Sequence, residues 1–168
     1  MQITRRQLAP AVALPFITTK AFAQGANAAR TLVVAVPSDA VGLEPGTNRA
    51  EPIGSEVILN VFDTLVAWTP PEFNVLEGRL ARSWTISPDG RSFEFELRDG
   101  VMFHDGTALD AAAVKFSLER TRAMNPFAQA SFNLINEIIV VSPRMLRIVL
   151  KEPYPAFMSI LAQPQSAI

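Results

Sequence analysis

Apolar residues run unbroken over 31–36 (TLVVAV), a β-branched stretch that predicts a buried strand. Pro37 closes it, and 37–52 (PSDAVGLEPGTNRAEP) is a turn-rich segment with three prolines, of a length that in a compact fold is functional or disordered. Between 55 and 68, Val57, Ile58, Val61, Phe62 and Leu65 recur at helical spacing, which predicts an amphipathic helix stopped by Pro70 and Pro71. Residues 91–97 (RSFEFEL) alternate: Phe93, Phe95 and Leu97 share one face, Ser92, Glu94 and Glu96 the other. Together with Trp84 to Ile86 and the turn Ser87-Pro88-Asp89-Gly90, this predicts an antiparallel hairpin half-buried against a core. Asp99-Gly100 and Asp105-Gly106 are turns around a short strand at Val101, Met102 and Phe103. Asp110 suits the N-cap of a helix over 111–122 that packs Val114, Leu118 and Phe116 and ends at Asn125-Pro126. A second hairpin follows, Ile138 to Val141 and then Leu146, Ile148 and Leu150 around Ser142-Pro143-Arg144, before a last helix over 156–162. Strands and helices intersperse without a βαβ rhythm. The class is therefore α+β, with a mixed, mainly antiparallel sheet and packed helices.

The N-terminus departs from this pattern. Arg5 and Arg6 precede a modest apolar stretch from Leu8 to Thr19 and then Ala21-Phe22-Ala23, an A-x-A cleavage pattern; a second possible cut follows Ala28. The stretch is broken by Pro10 and Pro15 and falls short of the ~20 apolar residues that span a bilayer. Thr4-Arg5-Arg6-Gln7-Leu8 is similar to a twin-arginine export motif. Residues 1–23 thus read as a signal peptide, and the expected location is the periplasm. Removing them takes away Arg5, Arg6 and Lys20 and no acid, so a chain with a formal charge of −1 becomes mildly acidic. That balance argues against a nucleic-acid partner, whose phosphates require a basic surface. The 168 residues contain no cysteine, which excludes disulfides, thiolate metal sites and thiol catalysis, and 49% apolar residues argue against a disordered chain.

Candidate chemistry is sparse. His104, the one histidine, could serve as a metal ligand or general base beside Asp105 or Asp99, but no second histidine accompanies it and zinc sites need several such ligands. Glu94 and Glu96 could be imagined as an acid/base pair, although carboxylates at i and i+2 are the ordinary polar half of an alternating strand. No G-x-S-x-G, P-loop or G-x-G-x-x-G pattern occurs. The expectation is a protein with no catalytic residues, no metal and no cofactor, hence not an enzyme. Most aromatics fit the core periodicity. Phe127 does not: it follows Asn125-Pro126 outside any periodic pattern, where an aromatic can face a cleft.

An ordered set of short motifs adds to this reading. Gly42-Leu43-Glu44-Pro45, Phe62-Asp63-Thr64-Leu65-Val66 and Leu80-Ala81-Arg82-Ser83-Trp84 come first, followed by Ser87-Pro88-Asp89-Gly90. Then come 95–107 (FELRDGVMFHDGT), 114–120 (VKFSLER) and Lys151-Glu152-Pro153. In this order they resemble the family 5 extracellular solute-binding proteins, the peptide and nickel binders of ABC importers. The resemblance covers 31–168 and implies the N-terminal part of a two-lobed periplasmic binding protein of type II-like form. Residues 24–63 would be the start of lobe I, with its first strand, cleft loop and helix, and 64–168 its N-terminal satellite subdomain. The second lobe would lie beyond Ile168, so the sequence reads as a fragment. The implied function is capture of peptides or a related small solute for an ABC permease and ATPase, by a monomer and without chemistry. Carried over by position, the cleft-lining segment falls on Asn48, Arg49, Ala50 and Glu51, and the ligand-facing aromatic on Phe127. The resemblance also makes Phe103-His104-Asp105-Gly106 a structural turn. The rival readings are a remnant or non-transporting sensor module with little solute affinity and, further off, a periplasmic hydrolase.

Overall fold

The computed structural model describes residues 33–47 and 52–168, with the side chain of Phe127 left out. The signal peptide reading over 1–23 and the start of the strand at Thr31 and Leu32 lie outside the described residues. Val33 to Ala35 belong to a unit separate from the one spanning Val36–Ile168.

Within the larger unit the elements are α1 (Pro52–Val61), β1 (Val66–Trp68), β2 (Leu76–Gly78), β3 (Ala81–Ile86) and β4 (Ser92–Leu97), followed by α2 (Ala111–Met124) and α3 (Pro126–Phe132). β5 (Ile135–Ser142), β6 (Met145–Leu150) and α4 (Phe157–Leu161) complete the order. The two hairpins predicted from alternation join through their inner strands, giving a four-stranded sheet in the order β3-β4-β6-β5, while β1 and β2 form a separate two-stranded sheet. Every described ladder is antiparallel, so the class is α+β.

Alternation sets the register. Phe93 lies opposite Ile148 and Phe95 opposite Leu146, so the apolar face of β4 continues across β6. Ile138 of β5 extends the row beyond Ile148. Val114 and Leu118 of α2, Phe132 of α3 and Phe157 of α4 pack on this face, all of them buried in one cluster. Phe93 and Phe157 meet ring to ring at 5.0 Å, inclined by 54°. A tilted aromatic pair at that distance adds to the burial of two large side chains. On the opposite face Glu94 accepts from two nitrogens of Arg147, at 2.9 and 2.7 Å, as cross-strand neighbours.

Two glycines are required by the backbone they serve. Gly90 closes the β3–β4 turn at φ +68, and a Cβ on Gly78 would lie 2.2 Å from the Ala81 carbonyl oxygen. The tight corner from β2 into β3 therefore needs a residue without a side chain.

The structure corrects four sequence expectations. Val33 to Val36 form no strand and are exposed, Val33 by 82%; a buried strand needs neighbours, and none pairs with this stretch among the described residues. The helix predicted over 55–68 stops at Val61, and Val66 turns into β1 opposite Gly78. The Thr64 hydroxyl donates to the Val66 carbonyl at 2.6 Å, and Leu65 O accepts from Arg79 N and Ala81 N, bonds a continuing helix could not make. Phe116 stands 66% exposed because the buried stripe of α2 is Ala111, Val114, Leu118 and Thr121. Two residues from Val114 and from Leu118, it lies about 200° round the helix from both. Finally, Val101 to Phe103 make only one isolated bridge, Met102 to Ala108.

Candidate functional site

Of the candidate binding residues, Asn48, Arg49, Ala50 and Glu51 lie outside the described residues. Phe127 falls in the first turn of α3, and its side chain also lies outside the description. What the structure defines is the frame on either side of them.

The frame before residue 48 is built on the Gly42-Leu43-Glu44-Pro45 motif. Glu44 pairs with Arg120 of α2. Pro45–Thr47 form one turn of 3-10 helix, closed by Thr47 N donating to Glu44 O at 3.0 Å, with Pro45 and Gly46 buried. A Cβ on Gly46 would approach the Glu44 carboxylate to 2.8 Å, so the turn is fitted closely around the ion pair. Beside it lies an open cavity of about 180 Å³ bounded by Glu44, Gly46, Phe116, Ser117, Arg120 and Ile168. On the far side of the undescribed segment, α1 begins at Pro52 and buries Ile58.

Phe127 is placed by a cap that the sequence offered. Asn125 is buried, and its side-chain oxygen accepts from Ala128 N at 3.1 Å, with Pro126 opening the helix. Asn at the cap and Pro at the first helical position are the ordinary signals of a helix start. Asn125-Pro126 both ends α2 and begins α3.

A second cavity, about 330 Å³, is walled by Phe62, Trp68, Pro70 and Phe73, with Arg79 at its rim. It combines aromatic surface with the Arg79 cation and the Asp63 carboxylate. Among the described residues no group of three or more histidine, cysteine or acidic side chains could hold a metal ion. His104 is exposed beside a turn in which Asp105 accepts from the amide and the hydroxyl of Thr107, at 2.9 and 2.7 Å. Those two bonds hold the Asp105 carboxyl below its ordinary value. Asp89 is lowered in the same way by the Ser87 hydroxyl and the Arg91 amide. Both aspartates fasten exposed turns. Their shifts are accounted for by turn closure.

Comparison with known proteins agrees with this frame. The model of the bacterial extracellular solute-binding proteins, family 5 (middle region), matches residues 75–168, and the chain belongs to that family. The glutathione-binding protein GsiB of Escherichia coli strain K12 is 36% identical over 156 residues, which is 90% of this chain and 30% of that protein. Among solved structures, NikZ of Campylobacter jejuni in complex with Ni(L-His) superposes with a TM-score of 0.68 at 33% identity, over 79% of this chain and 26% of its own. AgaA of A. tumefaciens R10, in complex with agropinic acid, gives 0.68 at 31% identity, over 77% and 26%. The chain thus spans under a third of the length of these relatives. Among the described residues no helix is long and apolar enough to cross a membrane.

Residues missed by sequence reasoning include Glu44 and Arg120 as partners. Each stands in a recognised motif, but they are 76 residues apart and no local pattern links them.

Proposed function

We infer that this chain is the N-terminal part of the solute-capturing component of an ABC importer, taking a small peptide or amino-acid-derived solute without chemical change. The observation that carries the reading is the family match over 75–168, laid on an α+β unit. The named ligands of its relatives, glutathione and Ni(L-His), are amino-acid-based, which supports that solute class. On this reading Asn48, Arg49, Ala50, Glu51 and Phe127 touch the solute, and the Glu44–Arg120 pair fixes the chain as it enters the first four of them. Residues 1–23 direct export to the periplasm, 64–168 act as the satellite subdomain of the first lobe, and a membrane permease with its ATPase receives the solute.

Enclosure supplies most of the binding energy in a cleft. A chain that forms one wall should therefore bind weakly. Calorimetric titration of the chain with glutathione, a tripeptide and nickel chloride tests the reading. The expected result is saturable heat with glutathione or the tripeptide at millimolar concentration and none with nickel alone. No saturable heat with either peptide would overturn it.

A further inference from the structure

We propose that the outer edge of β5 pairs with the same edge of a second copy, about a two-fold axis through Ile139. The backbone directions establish the fit. Leu150 N donates to Arg91 O on the β4 side, whereas Lys151 N donates to Leu134 O on the β5 side. Even-numbered residues of β6 therefore bond towards β4 and odd-numbered ones towards β5, because backbone groups alternate sides along a strand. Glu137 and Ile139, opposite Val149 and Arg147, bond to β6. Ile138 and Val140, opposite Ile148 and Leu146, turn their N–H and C=O groups outward, and β5 is the last strand in the sheet order.

An edge of this kind is self-complementary. Antiparallel pairing centred on Ile139 sets Ile138 against the partner copy's Val140 and Val140 against its Ile138, so all four residues have their outward groups facing each other. The two copies of Ile139 meet as the non-hydrogen-bonded pair between them, with side chains on one face. The axis at Ile139 offsets the two copies of Glu137 by four residues, so no like charges are opposed. Between Ile135 and Ser142 there is no lysine and no proline, so the edge is guarded only by the charge of Glu137 and by an irregularity at each end. Val140 and Val141 are 39% and 45% exposed, so this part of the edge is open. The strand's irregularities, between Ile135 and Glu137 and between Val140 and Ser142, confine the pairing to the stretch between them. Such an interface is far smaller than the ~1,600 Å² of a standard complex. The pair is accordingly weak, and it replaces the monomer that the family resemblance implies only at high protein concentration.

The absence of cysteine from the chain provides the test. Across the proposed axis the two Ile139 Cα atoms stand about 4.5 Å apart, inside the range a disulfide spans. Two copies of Val141 are offset by four residues and stand roughly 14 Å apart. In the 168-residue chain at high concentration under mild oxidation, Ile139→Cys should form disulfide-linked dimers at least roughly tenfold faster than Val141→Cys. In the otherwise unchanged chain, Ile139→Glu, which places two carboxylates on the axis and a partner beside Arg147 within each copy, should abolish concentration-dependent dimer in sedimentation equilibrium. Equal cross-linking of the two cysteine variants, or none in either, would overturn the proposal, as would dimer that survives Ile139→Glu.

Discussion

Arg98 makes more of the fold than its exposed position suggests. Its guanidinium donates to Arg79 O at 2.5 Å and Gly78 O at 3.0 Å, while its own amide donates to Leu80 O at 2.9 Å. One residue thereby ties the end of β4 to the corner between β2 and β3, where Gly78 is closely confined. Arg98→Ala should lower stability by about 1–2 kcal/mol in urea unfolding, the cost of two charge-assisted bonds reduced by solvent screening. Arg98→Lys should recover only part of it, because an ammonium lacks the planar fork. The turn aspartates make a pH prediction. The carboxyls of Asp89 and Asp105 both lie below 3.8 in the folded protein, so their contribution is full above that pH and fades as pH falls through the lower folded values. Amide exchange at Gly90 and Gly106, referenced to an exposed loop amide, should rise below about pH 4, and Asp89→Asn should remove the pH dependence at Gly90. Residue-scale bonds of this kind were legible where partners are local, as with Asp110 and Ala113. They were not legible for Glu94 with Arg147 or Glu44 with Arg120, which only the completed sheet and helix bring together.

At the scale of elements, period-two alternation was the surest guide. Phe93, Phe95 and Leu97, with Leu146, Ile148 and Leu150, are buried as their pattern requires, because one slip would turn every one of them to solvent. Helical spacing was less decisive. Val61 stayed in the helix as its spacing predicts, but Leu65 fits the same spacing without being helical, and the pairing of Val66 with Gly78 begins a strand there. α3 was missed although Asn125-Pro126 carries its start signal, since that pair was read only as a stop. The N-cap of α2 offers a clean measurement. Asp110 accepts from Ala113 N at 2.8 Å, so Asp110→Ala should cost about 1 kcal/mol, with Asp110→Asn nearly neutral in the same unfolding assay.

For the whole molecule, the core cluster defines what holds together. It draws on both sheets and on α2, α3 and α4, while Val33 and Val34, exposed by 82% and 68%, contribute nothing to it. Hydrogen exchange should be slowest in β4 and β6 and fast from Val33 to Val36; equal protection in the two regions would mean that the apolar run has found a sheet neighbour. Of the candidate binding residues, those at 48–51 came only from the family resemblance. Nothing in the periodicity of 48–51 marks them out, and Phe127 was noticed only because it broke the pattern around it.

The central claim, capture of a peptide-like solute at the end of the Glu44–Thr47 turn and beside α3, is tested most directly by amide chemical shifts during a glutathione titration. Saturable shifts are expected at residues 48–51 and at Phe127 and Ala128, with the turn at 103–107 unmoved. Saturable shifts centred on 103–107, or none anywhere at millimolar glutathione, would contradict it.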